Sequence, residues 1–208
     1  MSTSTRTQRR SAAIREQIVD AAEAILARDG SDALTMEAVS SQADVAVQTV
    51  YNRVGGRPAL LVAVAERALE QNRVYLESVA RDTGKTAMER IEAIGLAYAR
   101  FAESRPEQFR LIVDPPSEPE ALRPIEGLIG NQLKVLAELI AEGMEDGTIN
   151  PSLEPEPTAK ALWAMATGLF TLRIRTDRLQ IDARELTKLA VLSRALLQDG
   201  ILGPAARG

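Results

Sequence analysis

The chain has 208 residues, 45% of them apolar and only 3% aromatic. It holds neither Cys nor His, which excludes Cys/His zinc sites, thiol nucleophiles and imidazole acid–base chemistry. The net charge of −4 is unevenly placed: residues 1–57 carry seven Arg and seven acids, so the whole acidic excess lies in 58–208. A neutral head with a basic tip (Arg6, Arg9, Arg10, Arg15) on an acidic body fits a protein that meets phosphate at one end. A merely solvated Arg-rich tail fits the same charges. With so few aromatics the interior must be Ala, Leu, Ile and Val, and the abundance of Ala and Leu favours an all-α fold. The N-terminus lacks the apolar core of a secretory signal, and no apolar run approaches the ~20 residues of a membrane span. The expectation is a cytoplasmic protein without a membrane partner.

Residues 1–10 are rich in Ser, Thr, Arg and Gln and read as a mobile arm. From Ser11, Ile14, Ile18, Ala21, Ala22, Ile25 and Leu26 recur at helical spacing, and Gly30 stops this first helix. Thr35 opens a short second helix with Glu37 in its first turn. After a break at Ala43–Ala46, a third helix is expected over Val47–Val54, capped by Gly55-Gly56. Pro58 starts the fourth, to about Arg81. Thr86-Ala-Met-Glu89 is a capping box for the fifth, ending near Ser104, and Ser104-Arg-Pro-Glu107 starts a sixth through Val113. Asp114-Pro-Pro-Ser117 reads as a loop. The seventh helix is expected over Glu120–Asp146 with Pro124 in its first turn, the eighth over Glu156–Thr176 and the ninth over Ala183–Gln198. The expected division is an N-terminal head, residues 1–57, and a helical body, residues 58–208.

The informative stretch is residues 35–54. Two short helices meet through a tight turn, and Val39, Val45 and Val50 can pack inward to fix their crossing. Gln48, Thr49, Tyr51, Asn52 and Arg53 are then left facing outward. A short helix of this kind fits a major groove about 12 Å wide. Gln and Asn can read adenine bidentately, whereas Thr and Tyr hydroxyls suit phosphate oxygens. Two core helices with ordinary polar exteriors would give the same pattern.

Residues 14–62 resemble the DNA-binding domain of the TetR family of bacterial repressors. The likeness runs from the first helix (Ile14 through Gly30) through Leu34-Thr35, Val39 and Asp44-Val-Ala-Val-Gln-Thr-Val-Tyr51 to Arg57-Pro-Ala-Leu-Leu61. It implies that Thr49 and Tyr51 contact phosphate or bases, and that Arg57 anchors a phosphate near the start of the fourth helix. Thr35, Val47, Gln48, Asn52 and Arg53 complete the candidate DNA contacts. The chain departs from the family pattern at four places. Asp44 replaces the turn Gly, and Asp tolerates a left-handed conformation better than most residues. Ala46 replaces a capping Ser, a loss of roughly 1 kcal/mol. Val54 replaces an aromatic. Val47 stands where a polar or basic residue is common, leaving contact with a thymine methyl, or none. Base reading then falls chiefly to Gln48, Asn52 and Arg53.

The same resemblance implies that the body binds a small-molecule effector and forms a homodimer through the last two helices. Those helices offer Leu162, Ala166, Leu169 and Phe170, then Leu186, Leu189, Ala190, Leu192, Leu196 and Leu197. Spacing of three and four suits a four-helix interface, or packing within one subunit. Candidate effector contacts are Phe101, Phe109, Leu128, Leu136, Trp163, Met165 and Phe170, each of which fits an ordinary core position as well. The scarcity of aromatics and the lack of His suggest an apolar or acyl-type effector over a flat polycation. Arg173, Arg175 and Arg178 could meet an anionic ligand, or serve as caps and salt bridges. Gly84-Lys85-Thr86 resembles the end of a P-loop, but Val79 stands at its first Gly position and no strand precedes it. No nucleophile–base constellation stands out, so neither catalysis nor a cofactor is expected. Function is thus read as a dimeric, effector-responsive regulator of a double-stranded DNA operator, most simply a repressor. The alternative is a helical small-molecule-binding or scaffold protein that no longer reads DNA.

Overall fold

The computed structural model describes the backbone of residues 2–114 and 119–201 and the side chains of 6–114 and 123–196. Among the described residues there are nine α-helices and no strand. They are α1 Ser2–Asp29, α2 Met36–Gln42, α3 Val47–Val54, α4 Arg57–Ala80, α5 Ala87–Ser104, α6 Pro106–Val113, α7 Pro119–Glu145, α8 Pro155–Ile174 and α9 Ala183–Ile201. A 3-10 turn at Ser31–Ala33 follows α1. The chain divides into two compact units, Met1–Ala68 with Glu107–Ile125, and Leu69–Pro106 with Glu126–Gly208.

Several boundaries differ from expectation: α8 ends at Ile174 instead of Thr176, α9 runs to Ile201 instead of Gln198, and the starts of α1 and α7 also shift. The first helix begins at Ser2, so the Arg-rich segment read as a mobile arm is helical. No Pro or Gly interrupts residues 2–29, and Arg and Gln are good helix formers, so nothing local stops the helix from running to its end. Pro119 opens α7, which puts Pro124 inside the helix instead of in its first turn. Prolines 115 and 116 of the expected loop lie outside the described residues. At the start of α5 local signal and structure coincide. Thr86 Oγ1 accepts from the Glu89 N–H at 3.2 Å, and Glu89 Oε2 accepts from the Thr86 N–H at 2.8 Å, the reciprocal capping box at the start of α5.

In the first unit α1, α2, α3 and the start of α4 bury a common apolar core. Ile18, Leu34, Val39, Val50 and Leu60 have no solvent exposure. Each such side chain contributes roughly 1.5–3 kcal/mol by leaving water. Arg67 of α4 binds Asp20 at 2.5 Å and Glu23 at 2.6 Å on α1, fixing the two helices side by side.

The turn between α2 and α3 depends on Asp44, the one described non-glycine residue with a positive φ, at 50°. That angle lies in the left-handed region, where a β-branched side chain is strongly disfavoured. Asp44→Val is therefore expected to destabilise the chain by about 1–2 kcal/mol, whereas Asp44→Gly should be neutral or mildly stabilising. Denaturant midpoints of the three proteins check the order.

In the second unit Leu136, Ala137, Ile140, Ile149 and Ala159 form a core cluster. Arg90 is only 6% exposed. Its guanidinium donates to the Ala80 carbonyl at 3.0 Å and pairs with Glu142. The arginine thereby ties the end of α4 and α5 to α7.

Candidate functional site: a polar helix face and an apolar cavity

The geometry of α2 and α3 starts from their termini. Thr35 is the N-cap of α2, its Oγ1 accepting from the Ala38 N–H at 3.1 Å. The carbonyl of Ala43 at the other end accepts from Gln17 of α1 at 2.7 Å. Ser40 holds the turn from both sides: its hydroxyl donates to the Val45 carbonyl at 2.7 Å, and its carbonyl accepts from the Val45 N–H at 3.1 Å. Ala46 caps α3 with its backbone alone and makes no side-chain bond. Ser40 and Gln17 thus supply fixed contacts in a turn that lacks a capping hydroxyl. Neither stood out in the sequence, because both act on carbonyls five or more residues away.

Val50 is fully buried beneath α3. Gln48, Tyr51, Asn52 and Arg53 are exposed, Thr49 is half-buried, and Gly55 ends the helix at a φ of 86°. The Gln48 amide donates to Asn52 Oδ1 at 3.1 Å, one turn away, so the two amides stand side by side on one face. This pairing leaves Gln48 Oε1 as an acceptor and the Asn52 NH2 group as a donor, the combination an adenine edge requires. Val47 is half-buried and packs on the core of its own unit. Arg57 donates from Nε to the Leu34 carbonyl at 2.9 Å and from Nη2 to the Ser31 carbonyl at 2.7 Å. It therefore clamps the 3-10 turn to the start of α4. Arg6, Arg9 and Arg10 of α1 are exposed at three- and four-residue spacing.

The second unit contains a cavity of about 540 Å3 between α4, α5, α7, α8 and α9. Its volume is that of a small-molecule site, about 300–1,000 Å3. Leu136, Trp163, Met165 and Phe170 line it, as the sequence suggested. Phe101, Phe109 and Leu128 do not. Phe101 is a buried core residue, Leu128 is half-buried away from the lining, and Phe109 is fully buried in the other unit. All three are apolar, and apolarity alone does not separate wall from core. Leu162, Ala166, Leu169 and Ala190, expected on a dimer face, line the cavity as well. Leu186 is buried within the chain, while Leu192 and Leu196 stay exposed. Leu197 lies outside the residues whose side chains are described.

One wall is polar and closed on itself. The Tyr98 hydroxyl bonds the Thr167 hydroxyl at 2.8 Å and the Trp163 side chain, and its ring meets Phe170 edge-on at 6.1 Å. Burial pushes the Tyr98 phenol above its ordinary range, with those hydrogen bonds opposing, so it stays protonated at neutral pH. The charged lining residues are paired. Arg73 binds Glu70 at 2.6 Å and also Glu77, and Arg194 of α9 binds Glu92 of α5 at 2.6 Å. Of the arginines after α8, Arg175 pairs with Asp177 through a charge-assisted bond of 2.8 Å, and its guanidinium holds that carboxyl down at about 2. Among the described residues no group of three or more Asp or Glu could hold a metal ion, and no helix is long and apolar enough to cross a membrane.

Two family models match the chain. Residues 18–64 match the family described as bacterial regulatory proteins, tetR family, and residues 91–193 match the tetracyclin repressor-like C-terminal domain. No curated protein matches. Among solved structures, a putative transcriptional regulator from Saccharomonospora viridis in complex with choline is 14% identical, with a TM-score of 0.71 over 92% of this chain and 98% of that one. A TetR/AcrR-family regulator from Thermobifida fusca is 17% identical, with a TM-score of 0.69 over 84% of this chain and 92% of that one. The FadR regulator of Bacillus subtilis in complex with stearoyl-CoA is 18% identical, with a TM-score of 0.66 over 84% and 96%. These likenesses show the fold, and the two family models together cover more than half of the sequence. The chain belongs to the TetR family: it is a ligand-responsive, DNA-binding transcriptional regulator.

Proposed function

We propose that this regulator is a homodimeric, cytoplasmic repressor, with 1–57 as the reading head and 58–208 as the effector-binding and dimerisation body. An apolar small molecule entering the 540 Å3 cavity lowers its affinity for operator DNA. The observation that carries the reading is the polar face of α3, Gln48, Tyr51 and Asn52, over a fully buried Val50. Gln48 and Asn52 read base edges, with Arg53 beside them. Thr35, Thr49 and Tyr51 offer hydroxyls to phosphate, and Arg57 keeps Nη1 for a phosphate while its other nitrogens hold the turn. Val47 contributes at most a methyl contact. The Arg6, Arg9 and Arg10 face of α1 supplies further phosphate contacts, each adding about 0.9 to the log–log salt slope.

An apolar effector is supported by the lining: of the residues around the cavity, the charged ones are already neutralised by neighbours. The neighbouring FadR structure holds an acyl-CoA and the Saccharomonospora structure holds choline, so relatives of this fold accept chemically different ligands. A dimer is supported by Leu192 and Leu196 of α9 and by the small residues Ala161, Ala164 and Gly168 of α8, all exposed in the single chain.

Titration of DNA flanking the gene with full-length protein tests the reading. Effector occupancy is followed by the emission of Trp163, the only tryptophan, which lines the cavity. Ligand binding and DNA binding should oppose one another by about 1–3 kcal/mol, that is 5- to 150-fold in operator affinity. A compound that perturbs Trp163 yet leaves operator affinity unchanged would contradict the coupling.

A further inference from the structure

We propose that the effector is an uncharged, mostly apolar molecule with one hydrogen-bond acceptor, and that the Gln132 amide of α7 is the residue that selects it. The inference rests on the cavity being the effector site. Along α7, Ile129, Leu133, Leu136 and Ile140 line the cavity as one helical stripe. Gln132 lies within that stripe and lines the cavity too, where spacing alone calls for an aliphatic residue. Its Nε2 is buried and has no hydrogen-bond partner. A buried N–H left unpaired in apolar surroundings is unfavourable, and structures retain one where something else completes it.

Asn131, which is exposed, and Ser193, which is half-buried, line the cavity as well, but neither joins Gln132 among the buried, unpartnered polar atoms of the described residues. The Tyr98 hydroxyl and the charged groups of the wall are engaged. Tyr98 bonds Thr167 and Trp163. Arg73 pairs with Glu70 and Glu77, and Arg194 with Glu92. A carboxylate or ammonium ligand would have to break one of those pairs and desolvate its own charge in an apolar chamber. A ketone, ester or ether oxygen needs only the amide hydrogen that Gln132 presents. The remainder of such a ligand would be hydrocarbon, as the Leu, Ile, Met and Val lining requires.

The test compares three probes of one size in full-length protein by calorimetry, with Trp163 emission reporting occupancy. The probes are valerophenone, pentylbenzene, in which the carbonyl is a methylene, and the anion 5-phenylpentanoate. Each is titrated into wild type and into the near-isosteric Gln132→Met. The ratio of pentylbenzene Kd to valerophenone Kd is expected to fall about five-fold in Q132M, the weight of one neutral hydrogen bond. Pentylbenzene itself should bind Q132M at least as well as wild type, and the free Q132M protein should melt no lower. Gln132→Glu, which presents acceptors where the donor stood, should weaken valerophenone at least as much while keeping the side-chain length. Phenylpentanoate should bind wild type at least ten-fold more weakly than valerophenone. An unchanged ratio in Q132M, or tightest binding by the anion, overturns the role of Gln132 while leaving the cavity as the effector site. Failure of every probe to bind or to perturb Trp163 overturns the cavity reading and this proposal together.

Discussion

Gln48→Ala combined with Tyr51→Ala is expected to weaken operator binding by at least about a hundredfold while leaving the thermal midpoint close to wild type. A bidentate contact to a base is worth about 1–3 kcal/mol, and in a two-fold dimer Gln48→Ala removes it twice while Tyr51→Ala removes a hydroxyl contact to phosphate twice. Both side chains are exposed, Tyr51 by 46%, and the helix beneath them is held by Val50, which is untouched. The loss should therefore appear in DNA affinity and not in stability. Gln48 carries a second expectation. Its amide bonds Asn52 at 3.1 Å, so Gln48→Ala also frees Asn52 to rotate and relaxes the choice of base beyond its own position. Arg57→Ala should behave differently. It removes two bonds to the carbonyls of Leu34 and Ser31, so its effect falls on stability as well as on phosphate contact.

The second large effect concerns the proposed dimer. Gly168→Leu together with Leu196→Glu should convert the protein to a folded monomer and lower operator affinity by about 10²- to 10⁴-fold, since linked half-site binding is lost. Nothing lies within 4 Å of a Cβ built at Gly168, so the added side chain meets open space in a single chain. A mid-helix glycine costs about 0.5–1 kcal/mol relative to alanine, and the surroundings of Gly168 within one chain give no return for that cost. Close approach of a partner helix along Ala161, Ala164 and Gly168 would. Leu196 is 72% exposed and can take a carboxylate without disturbing the chain's own core. Sedimentation velocity and DNA anisotropy on the same preparations check both halves. A variant that remains dimeric with wild-type affinity would remove α8 and α9 from the interface.

The sequence carried the local part of this structure well. α3 occupies the expected Val47–Val54, since its limits are set by neighbours in the chain: the turn before it and Gly55 after it. Asp44 in the left-handed conformation, Ala46 without a side-chain cap and the Thr86/Glu89 box are also properties of a few consecutive residues. What escaped depends on distant partners. The family resemblance implies a phosphate-anchoring role for Arg57, and only the structure shows that its nitrogens also reach carbonyls 23 and 26 residues back. Gln17 reaches 26 residues forward. The N-terminal segment read as mobile from its polar composition, but composition does not record that no helix breaker lies between Ser2 and Asp29. The cavity was half legible. Leu136, Trp163, Met165 and Phe170 fall on it, while Phe101, Phe109 and Leu128 share their character and lie elsewhere. Gln132 gives no signal in the sequence, because one polar residue in an amphipathic helix is ordinary until its neighbours are known.

The central claim is that α3 enters the major groove and reads bases there. Chemical footprinting of DNA flanking the gene, with the wild-type chain and with the Gln48/Tyr51 double variant, tests it most directly. The expected result is two patches of major-groove protection whose centres are about one helical turn, roughly 10 base pairs, or a multiple apart, both lost in the variant. Wild-type protection that is absent at low salt, or that spreads over the duplex without sequence preference and persists in the variant, would contradict it.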